Sequence, residues 1–75
     1  MNKSRRKAIQ SISDEISELR ERIESLLEEE QEYYDNMPEA FQYGEKGEAS
    51  QGYIENLEGA VNASSELEEL LNNCL

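Results

Sequence analysis

The sequence predicts an all-α protein: an antiparallel two-helix hairpin, coiled-coil-like in its packing, that dimerises into a four-helix bundle. Three observations lead there. Apolar residues Ile9, Ile12, Ile16, Leu19, Ile23 and Leu26 recur at alternating spacings of three and four, which keeps one narrow stripe of a helix turned towards a partner. A second stripe at the same spacings, Ser50, Tyr53, Leu57, Ala60, Ser64, Leu67, Leu71 and Cys74, follows the only proline. Finally, a chain of 75 residues buries little apolar surface, and association with a copy is the usual remedy.

The first helix is expected over residues 3 to 35. With Ile9, Ile16 and Ile23 at heptad position a and Ile12, Leu19 and Leu26 at d, the acidic residues Asp14, Glu18, Glu21, Glu28, Glu32 and Asp35 fall at c and f, on the outer face. Glu18 with Arg22 and Arg20 with Glu24 stand at i,i+4 spacing, where ion pairs add a few tenths of a kcal/mol. A connector over residues 36 to 46 follows, because Pro38 disfavours helical geometry at Met37. Asn36 and Glu39 have the spacing of a capping box for a short turn from Pro38 to Tyr43, which Gly44 suits as a C-terminal cap. The second helix is expected over residues 47 to 74, starting between Glu45 and Glu48.

Folding the chain back at the connector pairs positions whose numbers sum to 83. Ile16 then meets Leu67, Leu26 meets Leu57, and Glu30 meets Tyr53; either the Tyr53 hydroxyl satisfies the carboxylate in the seam, or the helices splay near the turn and Glu30 is solvated. The flanks differ. The e edge carries Leu27, Tyr34, Ile54, Val61 and Leu75, and an apolar strip left open on a two-helix unit invites burial against a copy of itself. These five residues are the expected dimer interface of a homodimer.

Composition narrows the function classes. The formal charge is −11, four of the seven cations (Lys3, Arg5, Arg6, Lys7) lie at the start, and the other 68 residues carry −15. Such a body repels nucleic acid and anionic membrane, and is drawn to a protein partner with a basic surface. The basic start is expected to be neutralised across the hairpin by Glu66, Glu68, Glu69 and the terminal carboxylate. There is no histidine, and the single Cys74 lacks the neighbours that activate a thiolate, so no catalytic residue is assigned and the chain reads as a non-enzyme. Neither a calcium loop nor Glu-x-x-His pairs nor a phosphate-binding glycine loop occurs, so no metal or cofactor is expected. No stretch approaches the ~18 apolar residues of a membrane helix, and a soluble, reduced, cytoplasmic setting is expected.

Certain stretches carry information beyond the heptads: the start MNKSRRKAIQSI, the connector EYYDNMPEAFQ with its DNMPE core, and IENLEGAV in the second helix. Together they resemble small acidic helical-hairpin proteins of unknown function found in phages, prophages and mobile elements of Gram-positive bacteria, the segment Asn62 to Ser65 departing from that pattern. What the resemblance implies is a setting, the host bacterial cytoplasm, and a role as an accessory protein that binds and modulates or inhibits a host factor. Two other readings stand beside it: an acidic nucleic-acid mimic inhibiting a defence nuclease of the restriction or CRISPR type, and a structural self-assembling bundle. The candidate partner-binding residues are Asp14, Glu18, Glu21, Glu28 and Glu32, with the aromatic cluster Tyr33, Tyr34, Phe41 and Tyr43 around the turn.

Overall fold

The computed structural model describes residues 1–75 and is all-helical, a long helix packing against another. Helix α1 spans Lys3–Asp35, α2 Glu39–Gln42 and α3 Glu45–Asn72. The Cα extents are 58 × 15 × 11 Å, as expected of two rods laid side by side at 1.5 Å rise per residue. Ser13 near the start of α1 bonds Asn72 at the end of α3, and Glu30 near the end of α1 bonds Ser50 near the start of α3. The two helices therefore run in opposite directions.

Local chemistry sets the ends. The Asn2 side chain accepts a hydrogen bond from the Arg5 backbone N–H at 2.8 Å, which satisfies one orphan donor of the first turn. Asn36 closes α1 with its own N–H on the carbonyl of Glu32, and the residue capping α2 is Pro38, without a side-chain bond. The expected Asn36 capping box is thus absent: Asn36 is consumed as the C-cap of the preceding helix. Gly44 also differs from expectation. It lies at φ −97°, ψ −169° as the N-cap of α3, an extended residue that opens a helix and does not close one.

Gly47 is the glycine the fold requires. It is buried in the first turn of α3, and a Cβ there would run into the carbonyl group of Gln42. The Gln42 side chain in turn donates at 3.0 Å to the carbonyl of Tyr34, which also accepts from the Met37 backbone N–H at 3.1 Å, so the connector is anchored to the end of α1 and to the start of α3 together.

The seam is where structure and sequence expectation part. Only five residues are buried, Ser13, Ile16, Gly47, Ser50 and Ile54; around them Ile9, Arg20, Ile23, Leu27, Glu30 and Tyr34 of α1 face Leu57, Val61, Ser64, Glu68 and Leu71 of α3, all half-buried. These are a and e positions on both helices. Most large d residues expected in the seam have rolled outward: Ile12, Leu19 and Leu26 are 47–54% exposed, as is Tyr33 one heptad on, and Tyr53 and Leu67 are similarly open, while the small Ala60 stays half-buried. The side-chain pairs bonded across the seam, Ser13–Asn72, Arg20–Glu68, Glu30–Ser50 and Tyr34–Gln51, have numbers that sum to between 80 and 88. They bracket both 84, the value that sets each a level with an e, and the expected 83 that sets each a opposite a d; the burial of a and e residues, with the large d residues exposed, identifies the a/e seam. In the expected layers Ile16–Leu67 and Leu26–Leu57, Leu67 and Leu26 stand about half exposed at the rim in place of inside the seam.

The glycines give a direct check. Gly47→Ala is expected to destabilise the fold by about 1–3 kcal/mol through overpacking on Gln42. Gly52 and Gly59 have nothing within 4 Å of a built Cβ, so alanine at either should stabilise by about 0.5–1 kcal/mol through helix propensity. Thermal unfolding of the three single variants reads both signs.

Candidate interaction surfaces

The strongest polar contact in the molecule crosses the seam. The Arg20 guanidinium donates through Nη1 to Glu68 Oε2 at 2.6 Å, with the two side chains 20% and 23% exposed. Its Nη2 reaches Ser17 Oγ at 3.3 Å and its Nε lies 3.8 Å from Glu24. The bond to Glu68, followed by the charges of Glu68, Glu24 and Glu21 and opposed by partial burial, raises the Arg20 pKa above its ordinary value. A raised folded pKa contributes stability at every pH below the unfolded value, and that value is so high for arginine that the guanidinium stays charged across the working range.

Glu68 therefore belongs to Arg20, and the expected neutralisation of the basic start does not occur. Lys3, Arg5, Arg6 and Lys7 make no ion pair within 4.0 Å, and neither do Glu66 and Glu69; the two ion pairs of the chain are both made by Arg20. Arg22 does not pair with Glu18, while the Arg20–Glu24 pair forms loosely. Glu30 is satisfied by Ser50 Oγ at 3.2 Å, not by Tyr53, because the roll carries Tyr53 out to the rim. Every buried side-chain N or O atom has a hydrogen-bond partner.

The residues expected to form an open e edge lie in this seam. Ile54 is buried, Leu27, Tyr34 and Val61 are half-buried between α1 and α3, and only Leu75, past the end of α3, stays exposed. The strip that was to meet a second copy is used inside the chain. In exchange, the roll opens a different one: Ile12, Leu19, Leu26 and Tyr33 along α1, with Tyr53 and Leu67 along α3. In an antiparallel pair with a and e inside, the d positions of both helices line the same flank. A shallow groove beside Leu19, lined by Glu15, Glu18, Glu21, Arg22 and Ser25, borders this apolar flank with charge.

Two other surfaces carry the remaining candidates. Asp14, Glu18, Glu21, Glu28 and Glu32 are all exposed on the side of α1 away from α3; Asp14 accepts a hydrogen bond from Gln10 at 3.1 Å. At the turn the aromatic cluster divides. Tyr34 is structural, its hydroxyl accepting from Gln51 at 2.7 Å, whereas Tyr33, Phe41 and Tyr43 are exposed by more than half. Tyr33 and Phe41 line an open hollow with Asn36, Met37, Pro38 and Lys46, and the Lys46 ammonium stands 6.0 Å from the Phe41 ring centre, the outer limit of a cation–π contact. No group of three Asp, Glu or Cys side chains converges so as to hold a metal ion, and no helix is long and apolar enough to cross a membrane. No protein-family model, curated protein or solved structure matches the chain.

The importance of the Arg20–Glu68 pair is testable. Glu68→Ala leaves a half-buried guanidinium without its main partner and is expected to lower the unfolding temperature. Pairing it with Arg20→Met should recover most of the loss, since removing both charges is far cheaper than removing one. A double-mutant cycle by thermal or urea unfolding measures the coupling.

Proposed function

We propose that the protein is a non-enzymatic interaction module: an antiparallel helical hairpin that associates with a second copy into a four-helix bundle and offers its acidic outer faces to a basic protein surface. The observation that carries the reading is the division of the exposed surface into two kinds. One flank is apolar and repeats every seven residues from Ile12 to Tyr33, while the outer face of α1 is a row of free carboxylates. An apolar flank of this length on a monomer favours association, and a uniform row of one charge favours a partner of the other sign.

The resemblance to acidic proteins of phages and mobile elements gives this module a setting: an accessory protein that binds and modulates a host factor. One observation favours a second reading, the nucleic-acid mimic. Asp14, Glu18 and Glu21, and again Glu28 and Glu32, follow one another at spacings of three and four, about 5–6 Å apart along the helix, comparable with the phosphate spacing a basic groove accepts. The two readings share a surface and differ in the partner.

Both are tested by replacing Glu18, Glu21 and Glu28 together with lysine. All three point away from the seam, so helicity measured by circular dichroism should be unchanged. Capture of a partner from bacterial lysate at low salt is expected to be lost, and wild-type capture should weaken steeply as salt is raised. Undiminished capture by the triple variant removes the acidic face from the account and moves binding to Tyr33, Phe41 and Tyr43 at the turn, where exposed aromatics would act as anchors.

A further inference from the structure

We infer that the open d flank is covered by a second copy of the chain running antiparallel to the first, with Lys3, Arg5, Arg6 and Lys7 of each copy seated on the acidic turn end of the other. The inference rests on the reading of the protein as a self-associating module and names the surface and the orientation.

Four observations converge on it. The chain by itself buries two large apolar side chains, Ile16 and Ile54, while Ile12, Leu19, Leu26, Tyr33, Tyr53 and Leu67 stay about half exposed along one flank; covering that flank supplies the core that a 75-residue chain otherwise lacks. The apolar stripe is about 31 Å long at 1.5 Å per residue, and the whole face, 58 Å long and at most 15 Å wide, reaches the ~800 Å² per partner of a standard stable interface when its charged ends are covered along with the stripe.

The orientation comes from charge. The first turn of α1 contains no acidic residue and the last turn no basic one; cations sit at its positive pole and carboxylates at its negative pole, so both ends oppose the helix dipole. Nothing inside the chain relieves this, because Lys3, Arg5, Arg6 and Lys7 are unpaired. Around the turn, Asp35, Glu39, Glu45 and Glu48 are accompanied by Lys46 as the only nearby cation. A parallel copy would stack cations on cations and carboxylates on carboxylates, whereas an antiparallel copy brings each end against its opposite.

The geometry permits it. A stripe from Ile12 to Tyr33 has its centre between Leu19 and Leu26, and a two-fold axis there places Ile12 of one copy level with Tyr33 of the other. Lys7 and Lys3 overrun Ile12 by about 7 and 14 Å at 1.5 Å per residue, and so reach past Tyr33 to the level of Asp35, Glu39, Glu45 and Glu48. The acidic c and f positions of α1 stay uncovered in this arrangement, which leaves them available to a different partner.

Three measurements on the full chain test it. Wild-type protein should sediment as a dimer at tens of micromolar, and Leu19→Glu with Leu26→Glu should give monomers. Because that variant can also lose its fold, orientation is read independently on unsubstituted protein by spin labels at the exposed Cys74. The antiparallel dimer sets the two labels about 35–40 Å apart, while a parallel one sets them within about 20 Å. Changing Lys3, Arg5, Arg6 and Lys7 to glutamate should weaken dimerisation at least about tenfold at low salt, and adding Glu39→Lys, Glu45→Lys and Glu48→Lys should restore it. A monomeric wild type, a short label distance, a dimer indifferent to Leu19→Glu with Leu26→Glu, or one indifferent to the reversed amino-terminal charges would each overturn the inference. A monomer that still captures a partner in a salt-sensitive way leaves the interaction-module reading standing and removes only the dimer; a dimer without such capture does the reverse.

Discussion

The rotation that brings the a and e sides of the two long helices together, with the bond from Arg20 to Glu68 inside the contact, is the constraint on which most of what is distinctive about the molecule depends. Arg20 and Glu68 both occupy e positions; in an a/d seam such a pair would flank the contact, whereas here, with the e sides of α1 and α3 turned inward, the two meet at 2.6 Å with side chains only 20% and 23% exposed. The d sides must then turn out. Ser13 with Asn72 and Tyr34 with Gln51 bond an e residue of α1 to a b residue of α3 near the two ends of the seam, and the half-buried a and e residues between them show the same roll along the helix pair. Breaking the Ser13–Asn72 or Arg20–Glu68 pair leaves a partly buried donor or acceptor without its partner, a penalty of about 1–3 kcal/mol comparable with the gain from burying one more apolar side chain from the rim. The seam is consequently specific and thin: it holds a register firmly while burying little hydrocarbon.

A thin polar seam has a consequence for function. Apolar residues that an a/d coiled coil would consume internally are displaced to one flank, and the carboxylates of α1 remain on the opposite side. The chain is thereby divided lengthwise into an apolar flank, a polar seam and an acidic face. Its charge is divided from end to end as well, with free cations at the start of α1 and carboxylates around the turn. That pattern opposes the dipole of α1 within one chain and complements a second chain laid head to tail, so the surface that wants covering and the charges that want partners call for the same arrangement.

How much of this was readable in the sequence follows from which residues the competing seams share. Ile9, Ile16 and Ile23 at a belong to the a/d seam and to the a/e seam alike, so the helical class and the inward side of α1 to within half a turn follow from spacing alone. The choice between d and e does not. On α1 the d residues Ile12, Leu19 and Leu26 are more apolar than the e residues Ser13, Arg20, Leu27 and Tyr34, and periodicity weighted by hydrophobicity selects d. The deciding terms are pairwise: Arg20 with Glu68, Ser13 with Asn72, Glu30 with Ser50. They lie 20 to 59 residues apart in the chain and are invisible to any pattern read along one helix. A hint was present in α3, where Ile54 and Val61 at e are as suited to burial as Tyr53 and Ala60 at d. The expected interface strip of Leu27, Tyr34, Ile54 and Val61 was a real apolar feature assigned to the wrong partner, the chain itself being nearer than a copy. The outer face was easier to read, because Asp14, Glu18, Glu21, Glu28 and Glu32 face away from α3 in either seam.

The central claim is the rotation of the seam, and intrachain disulfide trapping measures it most directly. In a Cys74→Ser background, Leu27→Cys with Leu57→Cys places one thiol at e and one at a, level with each other across the seam; Leu26→Cys with Leu57→Cys moves the first thiol to d. Under mild oxidation at low protein concentration, the account predicts rapid intrachain closure for the Leu27 pair and slow or no closure for the Leu26 pair, read as a mobility shift and by mass. Rapid closure of the Leu26 pair with an unreactive Leu27 pair would contradict it, since the helices would then be meeting through a and d.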